Sequence, residues 1–543
     1  MYKEDIKLHY DIKHEPREIQ VEALAFTKNQ IRRGKKFIML NMPTGSGKSL
    51  FSMMFVNWYL NYVNKDAKFD ILTNSKLLQN QYVAEFPFMS SLKGKNAYKC
   101  NEYPDTSCQE GKELNAALKR TCNDCPYDKA RAGWMTNQIA LTNFHLFNSV
   151  NLFVPQLMIE KNPNVLIIDE AHDFESVLCD FISSKISRHS LKILGFNDVN
   201  IGAIFGDIKT IKYMDDFVDY IENAFIERLE QQIKSLEKGL GNSSLGMKDK
   251  VKYSKNIINV RAAIGNYKNF LEDYKINPNN WILDVEKTED KSFYKNLLIQ
   301  PVWSHKYLKE TVWDKYDHVL FMSATILDKT QFCYMNGIET NLSSYYEVES
   351  PFHVKNRPIY YIKGVGKNTF TEKEKTWENQ KLWVEKIVKK YKDKKGIIHC
   401  GSYEFSRWME EYFKDNPRFI FHTSETRDDA LRQHIESKEP TIIVSPSMIT
   451  GVDLKDDLSR FQIIMKIPYP NLGSAKIKKR LNDNKEWYGM KTCADLIQAC
   501  GRSVRNEKDN SSTFILDDSF SAIMKYNYKF LPNWFTESVK IIK

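Results

Sequence analysis

Phe37-Ile38-Met39-Leu40 leads through Asn41 and Met42 into Pro43-Thr44-Gly45-Ser46-Gly47-Lys48-Ser49, and from there into Leu50-Phe51-Ser52-Met53-Met54-Phe55. A short, wholly apolar run reads as a parallel strand buried on both faces. The glycine-rich turn that follows, with Lys-Ser opening a helix, makes a phosphate cradle. Glycines let backbone N–H groups approach an anion, and the helix N-terminus adds its positive end. In such a loop Lys48 reaches the β- and γ-phosphates and the Ser49 hydroxyl ligates Mg²⁺, while Thr44, Gly45, Ser46 and Gly47 wrap the anion. The strict pattern has glycine at position 42, where this chain has Met42.

Working outward, Phe69-Asp70-Ile71-Leu72, Val165-Leu166-Ile167-Ile168 and Val319-Leu320-Phe321-Met322 read as further buried strands. Gly396-Ile397-Ile398-His399, Thr441-Ile442-Ile443-Val444 and Phe461-Gln462-Ile463-Ile464-Met465 repeat the pattern. Two α/β units are expected, one before about residue 326 and one after about 350. The third strand ends in Asp169-Glu170-Ala171-His172, about 120 residues after the phosphate loop. Asp169 there can hold Mg²⁺ through water, and Glu170 can orient and deprotonate the attacking water. Two independent motifs thus predict an ATPase.

The composition is compatible. The chain has 543 residues, enough for three or four domains at roughly 150 residues each. Its 42% hydrophobic and 27% charged residues argue against a mainly disordered chain. No apolar run approaches the ~18 residues of a membrane span, and Met1-Tyr2-Lys3-Glu4-Asp5 lacks a secretory apolar stretch. A protein with no membrane partner, cytoplasmic or associated with a nucleoid or nucleus, is expected. The net charge of +10 is compatible with nucleic-acid binding without demanding it.

The order of the motifs resembles the superfamily 2 helicases of D-E-A-H type. Pro16-Arg17-Glu18-Ile19-Gln20 stands where that superfamily reads adenine, which implies ATP contacts for Arg17 and Gln20. Leu72-Thr73-Asn74-Ser75-Lys76 resembles a segment that touches the nucleic-acid backbone. Ser323-Ala324-Thr325 matches the element that couples hydrolysis to movement, and His172 belongs with it. Thr450-Gly451-Val452-Asp453 implies ATP contacts for Gly451 and Asp453. Gln498-Ala499-Cys500-Gly501-Arg502-Ser503-Val504-Arg505 resembles the final Q-x-x-G-R-x-x-R element. Arg502 and Arg505 are spaced to share one face of a helical turn, where arginines across a cleft stabilise phosphoryl charge, with Gln498 beside them. Met42, Thr450 and Asp517-Asp518-Ser519 depart from the usual pattern, none at a phosphate or Mg²⁺ position.

Nine cysteines in a chain without an export signal argue against a disulfide framework. Cys179, Cys333, Cys400, Cys493 and Cys500 are scattered and read as small buried hydrophobes. Cys100, Cys108, Cys122 and Cys125 fall within 26 residues, a set that suits tetrahedral zinc or a cubane iron–sulfur cluster. Only Cys122 and Cys125 are close, which leans away from the two close pairs of structural zinc. Their place, between the second strand and D-E-A-H, resembles the iron–sulfur helicases of the Rad3/XPD and DinG family, and implies a [4Fe–4S] cluster with zinc as the less favoured occupant. Tyr98, Tyr127 and Trp134 nearby are candidate base-stacking residues.

Further on, Phe217, Tyr220, Ile221, Ala224, Phe225, Leu229, Ile233 and Leu236 form one apolar helical stripe. Ile257, Val260, Ile264, Tyr267, Leu271 and Tyr274 form a second after Gly239-Leu240-Gly241-Asn242-Ser243-Ser244. This helical hairpin matches the family's arch. The expected fold is therefore α/β, with two RecA-like motor domains and two insertions in the first. Residues 1–90, 141–185 and 296–345 form motor domain 1, 91–140 the iron–sulfur domain, 186–295 the arch, and 346–543 motor domain 2. The implied activity is an ATP- and Mg²⁺-dependent DNA helicase that acts on single-stranded and forked DNA as a monomer and moves 5′ to 3′. The competing class is an ATP-driven translocase or remodeller that displaces protein or acts on RNA, since phosphate tracking distinguishes sugars poorly.

Overall fold

A computed structural model of the chain describes residues 8–117, 120–194, 196, 214–240, 246–287, 294–448, 454, 456–501 and 509–543. Each predicted apolar run is a strand, and the strands form two seven-stranded parallel sheets. The first runs in the order Ser343–Glu347, Phe37–Asn41, His318–Ser323, Val165–Asp169, Phe69–Thr73, Ile139–Asn143, Ser90–Ser91. All five residues of Phe37–Asn41, Phe69–Thr73, Ile139–Asn143 and Val165–Asp169 are buried, which explains why they read as unbroken apolar runs rather than alternating ones. The second runs Phe419–Ile420, Ile442–Ser445, Gly396–His399, Phe461–Ile464, Ser512–Ile515, Ile359–Ile362, Val539–Ile542.

This order positions the chemistry. Phe37–Asn41, His318–Ser323 and Val165–Asp169 are neighbours, with Asn41 beside Ser323 and Asp169 beside Met322 in register. The phosphate loop, Ser323-Ala324-Thr325 and Asp169-Glu170 consequently leave the same edge together, where ligands of open α/β sheets bind.

Between Val165–Asp169 and His318–Ser323 the chain leaves the sheet. Both apolar stripes are helical: Met214–Tyr220, a π-helical turn at Ile221–Phe225, Ile226–Leu240, and then Met247–Ile276. Phe217, Ile221, Phe225 and Leu229 bury against Val260, Ile264 and Tyr267. The helical expectation fails at its end. Trp281–Lys287 and Tyr294–Pro301 form an antiparallel hairpin, extended by Ser184–Ser187 into a three-stranded sheet. Trp281, Leu283 and Val285 join the helical core while Ile282 packs toward the second unit; that period-two alternation marks a strand. The Cys108–Ala117 helix lies against Met247–Ile276.

The two units share a buried ion pair. Arg480, on the Ala475–Asp483 helix, donates from Nη2 to Glu175 Oε1 at 2.7 Å and from Nε to Val302 O at 2.7 Å. Its guanidinium lies 4.4 Å from the Trp303 ring centre and 5.2 Å from that of Trp487. Burial alone would raise the Glu175 carboxyl, but Arg480 and Lys476 hold it below its ordinary value. Glu175→Ala strands a buried guanidinium and is expected to cost about 3–5 kcal/mol. An unfolding midpoint equal to wild type would contradict this.

Candidate active site

The phosphate loop is a strained turn that glycine permits. Gly45 and Gly47 have φ of +79° and +82°, and a Cβ on Gly47 would stand 2.4 Å from Gln20 Nε2. Gln20, buried, donates from Nε2 to Ser46 O (3.0 Å) and Gly47 O (2.9 Å), and its Oε1 accepts from Arg17 N at 2.8 Å. Arg17 Nη1 donates to Gly45 O at 2.7 Å. The two residues expected to read adenine thus meet the loop itself, and both ends of the Gln20 amide are engaged by the chain's own backbone.

Lys48 opens the Lys48–Tyr62 helix, and its Nζ lies 3.1 Å from Glu170 Oε1. Asp169 is fully buried. Its Oδ2 accepts from Tyr82 Oη at 3.0 Å and its Oδ1 from Glu170 N at 2.9 Å. Burial pushes the Asp169 carboxyl up to about 6; Lys48 opposes that rise and Glu170 reinforces it. Burial also drives the Tyr82 phenol well above its usual range, so it stays a donor. Ser49 Oγ donates to Glu85 Oε2 at 3.0 Å. The Asp169 and Glu170 carboxylates beside Lys48, with the Ser49 hydroxyl that Glu85 engages, fit a divalent cation. Ser46 Oγ, buried without a hydrogen-bond partner among the described residues, and the turn's left-handed glycines fit a polyphosphate.

From this cluster a polar chain crosses to the second unit. His172 Nδ1 lies 3.5 Å from Glu170 Oε2 and 2.8 Å from Ser323 Oγ. Ser323 Oγ also accepts from Thr325 N at 3.1 Å. Gln498, on the Lys485–Cys500 helix of the second unit, donates from Nε2 to Thr325 Oγ1 at 3.1 Å and stands 3.5 Å from His172 Nε2. Ala324 is buried and, with Thr44, Gln498 and Gly501, lines a cleft between the units. Gly451, Asp453, Arg502 and Arg505, with Thr450, lie outside the described residues. The acids at the departing position are structural: Asp518 accepts from Gly364 N and Gly366 N at 2.9 Å each.

Three residues escaped the sequence reading. Tyr82 reaches Asp169 and Glu85 reaches Ser49 only through tertiary packing, and no motif marks them. Asn41, at the end of the first quoted strand, accepts from Ile326 N at 3.0 Å and so anchors the turn after Thr325.

Cys100, Cys108, Cys122 and Cys125 line one small cavity, with the Cys108 and Cys125 sulfurs 4.0 Å apart. Asn115 Nδ2 donates to Cys122 Sγ at 3.2 Å. Among the described residues no three His, Cys, Asp or Glu side chains adopt the geometry of a bound metal ion. Of the scattered cysteines, Cys179, Cys333, Cys400 and Cys493 are buried and Cys500 is half-buried. Of the candidate stacking residues, Trp134 is 1% and Tyr127 8% exposed, while Tyr98, edge-on to Tyr127, is half-buried. Lys161 Nζ covers the Trp134 ring at 3.5 Å.

The chain is similar to known proteins in sequence over parts of its length and in fold over nearly all of it. The family model described as type III restriction enzyme, res subunit, matches residues 13–196, and that described as helicase C-terminal domain matches residues 372–538. The ATP-dependent DNA helicase CHL1 of Vanderwaltozyma polyspora is 22% identical over 485 residues, covering 75% of this chain and 57% of that protein. The ATP-dependent DNA helicase YoaA of Haemophilus influenzae is 24% identical over 152 residues, 25% of this chain and 23% of that protein. The chain thus spans little more than half the length of the first of these relatives. In overall fold it is similar to a solved XPD helicase, with a TM-score of 0.62 at 16% identity, over 97% of this chain and all of that one. It is likewise similar to Xpd4 of S. tokodaii, with a TM-score of 0.57 at 14% identity over the same shares.

Two parallel sheets meet at a phosphate loop, an acidic strand end and a glutamine from the second unit, an arrangement that defines a nucleotide-binding α/β architecture. Beyond that fold, the chain is similar over parts of its length to named ATP-dependent DNA helicases, and in overall architecture to solved XPD structures.

Proposed function

We propose that the protein is an ATP- and Mg²⁺-dependent DNA helicase that binds single-stranded DNA, translocates 5′ to 3′ and unwinds duplex. The observation that carries this reading is the unbroken polar chain Lys48–Glu170–His172–Ser323–Thr325–Gln498. It joins the group that would meet the γ-phosphate to a residue on the opposite unit, so a change of charge at one end alters contacts between the units. Lys48 neutralises phosphate charge, and Glu170 aligns and deprotonates the attacking water. Ser49 and Asp169 would hold Mg²⁺, which shields the phosphate oxygens. Gln498 senses His172 and Thr325, and Arg502 and Arg505 are assigned to the developing phosphoryl charge. The named DNA helicases among its relatives favour DNA over RNA. The test is ATP turnover with and without single-stranded DNA: stimulation by DNA is expected, and equal rates would refute the assignment.

Segments 91–140 and 186–295 are assigned as the iron–sulfur and arch insertions, the former because its four cysteines face one cavity. Cys100, Cys108, Cys122 and Cys125 would hold a [4Fe–4S] cluster, whose fixed shape braces loops that have little core of their own. Iron and acid-labile sulfide should accompany the purified protein and fall sharply in Cys100→Ser. Stoichiometric zinc without sulfide would assign the site to zinc instead.

A further inference from the structure

Both residues assigned to Mg²⁺ are held by one helix, through two of its residues that belong to no recognised motif. Tyr82 and Glu85 lie three residues apart on the Lys76–Glu85 helix, so their side chains share a face. Tyr82 Oη donates to Asp169 Oδ2 at 3.0 Å, and Glu85 Oε2 accepts from Ser49 Oγ at 3.0 Å. Tyr82 is 1% exposed, with Ser52 Oγ 3.4 Å from its hydroxyl. Glu85 is the last residue of its helix, where the macrodipole disfavours a carboxylate. Helix stability therefore does not account for an acid at this position.

The other end of the helix begins in the segment expected to touch a nucleic-acid backbone. Ser75 caps it by accepting from Leu78 N at 3.2 Å, and Asn74 Nδ2 donates to Asp173 Oδ2 at 3.1 Å. Midway, buried Gln79 donates to Leu92 O at 2.8 Å and Ser91 Oγ at 2.9 Å, pinning the helix to the sheet edge. One short, anchored element thus connects Thr73-Asn74-Ser75 to Ser49 and Asp169.

We infer that Tyr82 and Glu85 are positioning residues for the Mg²⁺ site, and that their helix relays nucleic-acid contact at Thr73–Ser75 to the metal. The inference rests on the nucleotide reading above. A serine hydroxyl that gives its oxygen to a metal keeps a proton to donate; Glu85 accepts it, which orients the oxygen and strengthens it as a ligand. Tyr82 does the corresponding work for one oxygen of Asp169. Outer-sphere partners of this kind orient metal ligands and tune affinity.

Wild type, Tyr82→Phe and Glu85→Gln are compared by titrating a fluorescent mant-ADP with the protein in EDTA and then in rising Mg²⁺. In EDTA the three are expected to bind alike. The Mg²⁺ midpoint is expected to rise roughly 10-fold or more in each variant, and DNA stimulation of ATP turnover to fall. A midpoint unchanged in both variants overturns the positioning role; a raised midpoint with undiminished DNA stimulation overturns the relay. Glu85→Gln keeps shape at a half-exposed site, so the test survives even if Tyr82→Phe unfolds. Wild-type mant-ADP binding that ignores Mg²⁺ would sink the nucleotide reading and this inference with it.

Discussion

Lys48→Ala is expected to abolish ATP hydrolysis, with and without DNA, while leaving the fold intact. The side chain sits among Asp169, Glu170 and the glycine turn, 3.1 Å from Glu170 Oε1 and almost enclosed. Removing a preorganised charge from such a site costs about 10²–10³ in rate, or roughly 3–4 kcal/mol. The loss of the ion pair with Glu170 adds to this. The backbone should tolerate the change, since alanine is the best helix former and position 48 is helical. Turnover in coupled-assay conditions checks the first part and circular dichroism the second. Turnover within threefold of wild type would remove the phosphate loop from the mechanism.

Glu170→Gln separates chemistry from binding. Glutamine keeps the shape and accepts a hydrogen bond, but it cannot take the proton of the attacking water. Loss of a general base lowers turnover by roughly 10²–10⁴-fold. Nucleotide affinity should hold or rise, because Lys48 is freed from the carboxylate and becomes available to phosphate. Glu170 has φ of +54°, a left-handed conformation uncommon outside glycine that fits a residue held in place for a task. Turnover near wild type in this variant would move the base elsewhere. Unchanged turnover together with weakened binding would make Glu170 a binding residue only.

How much of this was legible follows from where each signal lives. Phe37–Leu40 and Val165–Ile168 announced themselves because strands buried on both faces carry no polar alternation. The phosphate loop was legible because its chemistry is local: glycine, lysine and serine act within seven residues. The helical stripes around Phe225 and Val260 were equally plain. The hairpin at Trp281–Pro301 was missed because a period-two pattern lay directly after a long helical one. Gln20 could be placed near the loop but not assigned its partners, since only the folded chain shows its amide spent on Ser46 and Gly47. Trp134 and Tyr127, candidates for stacking only by their place beside the cysteines, are buried, as aromatics near a loop more often are. Tyr82 and Glu85 had no sequence signal, because their role arises from an approach across 87 and 36 residues of chain.

Strand displacement tests the central claim most directly. The purified protein is given ATP, Mg²⁺ and a forked DNA duplex carrying either a 5′ or a 3′ single-stranded tail. The account predicts ATP-dependent release of the labelled strand from the 5′-tailed substrate, with none from Lys48→Ala. Hydrolysis that DNA stimulates but that releases no strand from either substrate would contradict it.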